Sequence, residues 1–336
     1  MKAIHFVGKG EARFAELPDP ALRPGHALIR VMASGLCHTD IDVLHGRYGS
    51  SAFPLVPGHE YAGIVEAVAD GVTSVRVGDR VAVDPNIPCG ACRACRRGLT
   101  NLCADLKAYG VTHDGGFAEF SAVDARHLHP IGSLPFDRAA LAEPLACVLN
   151  GLGASGFDTD PRRPDNALVI GAGPIGLLLA LALKARGVGT VSVADLNEAR
   201  LAFAKSLGLS VAHAGSSSLS QQRRQFDFVA DATGVAAVAE SLCDYAADGG
   251  TVLFFGVCAP DARIAVSPFD IFRRQLRLCG SHSLNGQIGD ALSLLQADDG
   301  TMARLVSHRL PMQDMLPFFE KGGASAATMK VQFAAG

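Results

Sequence analysis

The chain is 336 residues long, which at roughly 100–200 residues per domain predicts two domains rather than one. Its 49% hydrophobic and 19% charged content describes a chain able to bury a large core, and excludes disorder as the basis of function. Lys+Arg of 30 against Asp+Glu of 33 leaves a formal charge of -3, with no positive excess to hold a polyphosphate backbone, so no nucleic-acid partner is expected.

The first residues, Met1-Lys2-Ala3-Ile4-His5-Phe6-Val7-Gly8, lack a sustained apolar run followed by a small-residue cleavage site, and a cytoplasmic protein is expected. Up to about residue 130 the chain reads as short strands broken by turns. These include His26-Ala27-Leu28-Ile29-Arg30-Val31, Gly63-Ile64-Val65-Glu66-Ala67-Val68 and Asp79-Arg80-Val81-Ala82-Val83, and they predict a β-rich lobe. Within it, Cys37-His38-Thr39-Asp40 and Gly58-His59-Glu60 offer a thiolate, an imidazole and a carboxylate, all zinc ligands. Taken alone, the pair fits better a buried apolar cysteine and a satisfied histidine.

Next comes Cys89-x2-Cys92-x2-Cys95-x7-Cys103, four thiols within 15 residues, interleaved with Pro88, Gly90 and Gly98. Nine cysteines in a chain expected in a reducing compartment read as ligands or core residues rather than disulfides. Four thiolates at this spacing predict a tetrahedral zinc with no open position, hence a structural one. An iron–sulfur cluster uses related spacings but a different fourth interval and usually a following proline, whereas Ala104 follows here. Redox or packing cysteines are the other alternative. Arg93, Arg96 and Arg97 would offset the thiolate charge or form a solvated loop face. Cys147, Cys243, Cys258 and Cys279 have no ligand spacing and are expected in the core.

Near 137–153 the pattern turns helical, and after the Asp158–Pro164 loop strands alternate with helices. Strands are expected at Ala167–Gly171, Thr190–Asp195, Phe226–Asp231, Thr251–Val257 and Leu276–Gly280, in a parallel doubly wound sheet. The uncharged run Ala167–Leu183 is 17 residues and contains three glycines and a proline, short of the ~20 apolar residues of a membrane span; no membrane partner is expected. It holds Gly171-Ala172-Gly173-Pro174-Ile175-Gly176, a G-x-G-x-x-G turn between a strand and a helix. Such a turn places a dinucleotide pyrophosphate at the helix N-terminus. Asp195, at the end of the next strand, can accept bonds from a ribose 2′-OH, which argues for NAD over NADP. Its alternative is a helix N-cap before Asn197-Glu198-Ala199-Arg200. The last fifty residues lack the alternation.

The run Gly58-His59-Glu60-Tyr61-Ala62-Gly63, then Val77-Gly78-Asp79-Arg80-Val81, then the four-cysteine lobe and Asp114-Gly115-Gly116-Phe117-Ala118-Glu119-Phe120 resembles the zinc-dependent medium-chain alcohol dehydrogenase family. The likeness holds in order and spacing over roughly residues 1–285. It implies an α/β protein with a β-rich GroES-like catalytic domain at 1–146 and 285–336 and a Rossmann doubly wound domain at 147–284. It also implies a catalytic zinc on Cys37 and His59. Where many relatives carry a second cysteine, the matching segment is Ala142-Glu143-Pro144-Leu145-Ala146, similar to the polyol (sorbitol-like), threonine and glucose dehydrogenase branches. This makes Glu143 a candidate third ligand, with Glu60 as the other.

By the same resemblance Thr39 takes the alcohol proton, against the alternative of a turn or capping threonine. Asp42 occupies the place of a relay histidine, with His45 or water as the exit, and Asp40 orients His59. Arg200 is similar to the family's cation near the ribose. His38, Arg47 and Tyr48 are further pocket candidates, His282 is read either as approaching nicotinamide or substrate or as part of a plain loop, and a homo-oligomer, dimer or tetramer, is implied by the resemblance. The leading expectation is an NAD-dependent, two-zinc polyol dehydrogenase acting on a small hydroxyl-rich molecule. A threonine-type or simple secondary alcohol dehydrogenase is the alternative within enzymes, and a non-catalytic NAD-binding protein the alternative outside them.

Overall fold

A computed structural model of the chain describes residues 1–48, 52–320 and 328–335. The chain divides into two compact units, Met1–Ala146 with Leu284–Gly336, and Cys147–Ser283.

The first unit is built around the strand His26–Gly35, in which Ala27, Ile29, Val31 and Ala33 point inward at the period of two that a half-buried strand requires. It belongs to a seven-stranded sheet. The order is Val306–Leu310, Lys330–Ala334, His26–Gly35, Glu60–Val68, Arg80–Val83 and Leu128–Pro130, with Phe120–Asp124 also paired to His26–Gly35. The first two run parallel and the other neighbours antiparallel. The core beneath contains Ile29, Val65 and Val81, and a cluster in which Phe319 meets Phe117 and Phe6 edge-on at 5.0 and 5.5 Å. The first two strands of this order come from the last fifty residues, where no alternation is readable. Val306–Leu310 exposes or half-exposes every residue but Val306, so it carries no inward pattern to read. The register sets Gly35 opposite Glu60 on one side and opposite Gln332 on the other. Three neighbouring strands therefore begin or end at one spot.

The second unit is a six-stranded sheet in the order Ser210–His213, Thr190–Asp195, Asn166–Ile170, Phe226–Asp231, Ala246–Phe254 and Arg277–Gly280, every neighbour parallel. Numbered along the chain this is 3-2-1-4-5-6, the order of dinucleotide-binding sheets. Ser210–His213 escapes the sequence reading because it is four residues long and has no fully buried position. The uncharged run is accounted for by the helix Pro174–Ala185, whose residues Gly176 to Leu183 are all buried. Among the described residues no helix is long and apolar enough to cross a membrane. Cys147, Cys243, Cys258 and Cys279 are half-buried, not core as expected; Cys279 donates its thiol to the Val252 carbonyl.

Within the Gly-rich turn the glycines have separable reasons. A Cβ on Gly176 would lie 1.9 Å from the carbonyl oxygen of Gly171, so helix and strand can pack here only if residue 176 has no side chain. A Cβ on Gly173 would meet nothing within 4 Å, which leaves open space beside the helix N-terminus. Gly176→Ala should therefore cost about 1–3 kcal/mol as an overpacked substitution. Gly173→Ala should leave the melting temperature near wild type while weakening NADH binding. Thermal unfolding and NADH titration of the two variants check this; equal melting temperatures would contradict the packing account.

Candidate active site

The thiol of Cys37 sits where the strand His26–Gly35 gives way to the short helix His38–Leu44, with Cys37 as its N-cap. Asp40, three residues on, turns back and accepts the Cys37 amide on Oδ2 at 2.9 Å, satisfying a donor that a helix start leaves unpaired. Its other oxygen accepts the Gly58 amide at 3.2 Å and lies 3.3 Å from Nδ1 of His59 in an ion-pair contact. One fully buried carboxylate thus fixes the backbone before both candidate ligands. Gly58 is in the left-handed region at φ 100°, and a Cβ there would come within 2.9 Å of the Phe117 amide and of Ser34 Oγ. The Gly115-Gly116-Phe117 segment packs across this bend, with Gly116 N–H donating to the Gly58 carbonyl at 2.8 Å. This is the physical reason for two motifs lying far apart in sequence.

Ligand atoms of Cys37, His59 and Glu60 lie within 4.8 Å of one another. His59 is 6% and Glu60 1% exposed, and Glu60 Oε2 is buried without a hydrogen-bond partner. Burial alone would lower the imidazole pKa, but the charges of Asp40 and Cys37 overcome it and hold His59 well above the ordinary range. The cluster is therefore a buried, electron-rich pocket demanding positive charge. A thiolate, an imidazole and a carboxylate with one unsatisfied oxygen fit a zinc ion.

Sequence reasoning left Glu60 and Glu143 open as the carboxylate; the geometry groups Glu60 with Cys37 and His59. Glu143, in the first turn of the helix Ala142–Ala154, is 8% exposed and lies outside that group, though its charge is felt by Lys330. Lys330 was not singled out in the sequence. It is 4% exposed and donates to Glu60 Oε1 at 2.5 Å. Burial would lower its pKa, but Glu60 and Cys37 hold it raised. Thr39 is half-buried in the first turn of the helix His38–Leu44. Asp42 accepts Arg47 Nε at 2.8 Å and lies 3.8 Å from the exposed His38, while His45 Nδ1 donates to the Ile41 carbonyl of its own helix at 2.8 Å. Tyr48 and His282 are exposed.

Cys89, Cys92, Cys95 and Cys103 also bring their sulfurs within 4.8 Å of one another. Cys92 caps the four-residue helix Arg93–Arg96, and backbone amides of Cys95 and Ala104 push its thiol down to about 6. Desolvation and the neighbouring thiols push Cys95 up to about 12. Four sulfurs gathered this closely fit a bound zinc. Arg93, Arg96 and Arg97 are exposed, and Arg96 bonds the Ala91 carbonyl. A second residue missed in the sequence, Asn285, staples this lobe. Its Oδ1 accepts the Thr100 amide and hydroxyl at 2.9 and 2.7 Å, and its Nδ2 donates to the Gly98 carbonyl at 2.9 Å.

In the second unit, Gly173 is the N-cap of the helix Pro174–Ala185, with Pro174 and Ile175 in its first turn. Asp195 Oδ2 accepts the Ala172 amide at 2.7 Å and Oδ1 the Asn197 amide at 2.8 Å, which fixes the carboxylate beside the Gly-rich turn. The N-cap of the next helix is Asn197, which accepts the Ala199 and Arg200 amides, so Asp195 is not spent on that role. Arg200 is half-buried within the helix Glu198–Ser206.

Replacing Cys95 with serine should lower the zinc content by one per chain and the melting temperature by at least about 5 °C, since a structural zinc contributes folding free energy directly. Elemental analysis and thermal unfolding check this; two zincs per chain with unchanged melting would contradict a structural metal in the lobe.

Comparison with known proteins places this geometry. Residues 23–133 match the model of the alcohol dehydrogenase GroES-like domain, and residues 174–297 that of the zinc-binding dehydrogenase. The chain is 67% identical over 335 residues to D-altritol 5-dehydrogenase of Agrobacterium fabrum, covering 100% of both chains. Among solved structures it is similar to a zinc-binding dehydrogenase from Sinorhizobium meliloti bound to NADP, at a TM-score of 0.93 and 29% identity over 99% of each chain. It is also similar to an alcohol dehydrogenase from Escherichia coli complexed with NADH, at 0.89 and 27% over 100% of this chain and 99% of that one. With a GroES-like unit, a parallel dinucleotide-binding sheet and relatives matched end to end, the chain belongs to the zinc-dependent medium-chain alcohol dehydrogenase family.

Proposed function

We propose that this protein is an NAD-dependent zinc dehydrogenase that oxidises a secondary hydroxyl of a sugar alcohol. The observation carrying the substrate class is the 67% identity, over the full length of both chains, to D-altritol 5-dehydrogenase. The buried group of Cys37, His59 and Glu60 supports the chemistry. In this reading residues 1–146 and 285–336 serve as the catalytic domain and residues 147–284 as the NAD-binding domain. Cys37, His59 and Glu60 hold the catalytic zinc, with Glu143 as the alternative carboxylate, and Cys89, Cys92, Cys95 and Cys103 hold the structural one. Cytoplasmic location and homo-oligomeric assembly belong to the same reading, the first because a cysteine content read as metal ligands and packed residues suits a reducing compartment.

When bound, the catalytic zinc supplies Lewis acidity that makes a substrate hydroxyl easier to deprotonate. The protein's own groups do the rest. Asp40 keeps the His59 ring turned and its charge balanced. Thr39 accepts the hydroxyl proton and hands it toward solvent. Gly171, Gly173, Pro174, Ile175 and Gly176 hold the pyrophosphate at a helix N-terminus, where amides and dipole favour it. Asp195 accepts the ribose hydroxyls, with Arg200 nearby, and repels a 2′-phosphate by like charge. The net reaction moves a hydride from the carbinol carbon to NAD and releases the hydroxyl proton, leaving a ketone.

With a panel of D-altritol, other sugar alcohols, threonine and short secondary alcohols, NADH absorbance should rise fastest on a sugar alcohol. A higher kcat/KM on threonine or a short alcohol would overturn the substrate class, and no turnover on any of them would favour a non-catalytic protein. Asp195→Gly should reduce the preference for NAD over NADP at least about tenfold, the size of a lost charged hydrogen bond. An unchanged preference would remove Asp195 from cofactor selection.

A further inference from the structure

We propose that Lys330 is a positioning residue of the catalytic metal site, its ammonium holding one oxygen of Glu60 so that the other is presented to the zinc. The inference rests on the zinc reading above and goes beyond it, because Lys330 lies in none of the sequence motifs. It opens the strand Lys330–Ala334, 270 residues after its partner.

Four observations carry it. The ammonium has two acceptors at the site, Glu60 Oε1 at 2.5 Å and the carbonyl of Leu36, the residue before Cys37, at 3.1 Å, so it ties together the approaches of two candidate ligands. Both partners of the ion pair are buried, with side chains 5% and 1% exposed, so water does not screen them. Glu60 Oε2 has no hydrogen-bond partner although it is buried, an arrangement that costs free energy unless a cation completes it. A Cβ on Gly35 would lie 2.3 Å from that oxygen, so the room Oε2 occupies exists only because residue 35 has no side chain. With Oε1 held by Lys330, Glu60 has one oxygen left to give.

The pairing of charges points the same way: Asp40 lies 3.3 Å from His59 Nδ1 and Glu60 2.5 Å from the Lys330 ammonium, so Lys330 is the cation that answers Glu60. Without the lysine, Glu60 would face the other anions with a free carboxylate, able to turn or to offer both oxygens.

The test is the rate at which each zinc leaves the intact protein to a chelator in Lys330→Met, followed by elemental analysis, with the four-thiolate zinc as internal control. One of the two zincs should leave at least about tenfold faster than in wild type, the usual scale for losing a partner of a metal ligand, while the other leaves at the wild-type rate. With cobalt(II) in the faster-leaving site, the visible absorption should shift between wild type and variant. Wild-type release of both zincs, or equal acceleration of both, would overturn the proposal, the latter marking a general structural role. Should Lys330→Met not fold, Lys330→Gln, a neutral residue that still donates a hydrogen bond, decides by the same two rates. A wild-type protein holding only the four-thiolate zinc would instead defeat the underlying zinc reading.

Discussion

The constraint on which the first unit turns is the burial of like charge. Asp40 and Glu60 are essentially inaccessible to water, Glu143 nearly so, and Cys37 adds a thiol beside them. Carboxylates are rarely left in such surroundings without a partner, because the interior penalises an isolated charge heavily. The fold answers this in two ways and leaves one oxygen over. Asp40 is spent on two backbone amides and an imidazole, Glu60 is paired with Lys330, and an oxygen of Glu60 is left unsatisfied. The remaining deficit of positive charge sits where the thiolate, imidazole and carboxylate meet, and a divalent cation is what it calls for.

Sheet register makes this possible. Gly35 lies opposite Glu60 and opposite Gln332, so the strand that leads to Cys37, the strand that starts with Glu60 and the strand that starts with Lys330 all reach the same edge. Since side chains alternate faces along a strand, a slip by one residue in either pairing would turn Glu60 or Lys330 to the opposite face. The bend at Gly58 and the Gly115-Gly116-Phe117 segment packed on it lock one end of this register. Stability and chemistry are therefore served by the same residues.

What could be read from the sequence is what is local. The four-cysteine spacing, the Gly-rich turn with its flanking strand and helix, and the alternation of the second unit all lie within windows of a few tens of residues, where spacing alone encodes geometry. Contacts across hundreds of residues are not encoded that way. Neither Lys330 nor Asn285 stands in a recognisable pattern, and each gains its meaning from a partner 270 or 185 positions away. The choice between Glu60 and Glu143 is of the same kind, since both sit in motifs and only the fold groups one of them with Cys37 and His59. Val306–Leu310 and Ser210–His213 were unreadable because short strands with few buried positions carry too little periodicity to separate from loop.

The account is tested most directly by anomalous diffraction at the zinc absorption edge from crystals of the zinc-loaded protein. The prediction is two peaks per chain, one among the four cysteines and one in contact with Cys37, His59 and a single oxygen of Glu60. A lone peak among the four cysteines, with Glu60 still paired to Lys330 and nothing beside its second oxygen, would contradict it.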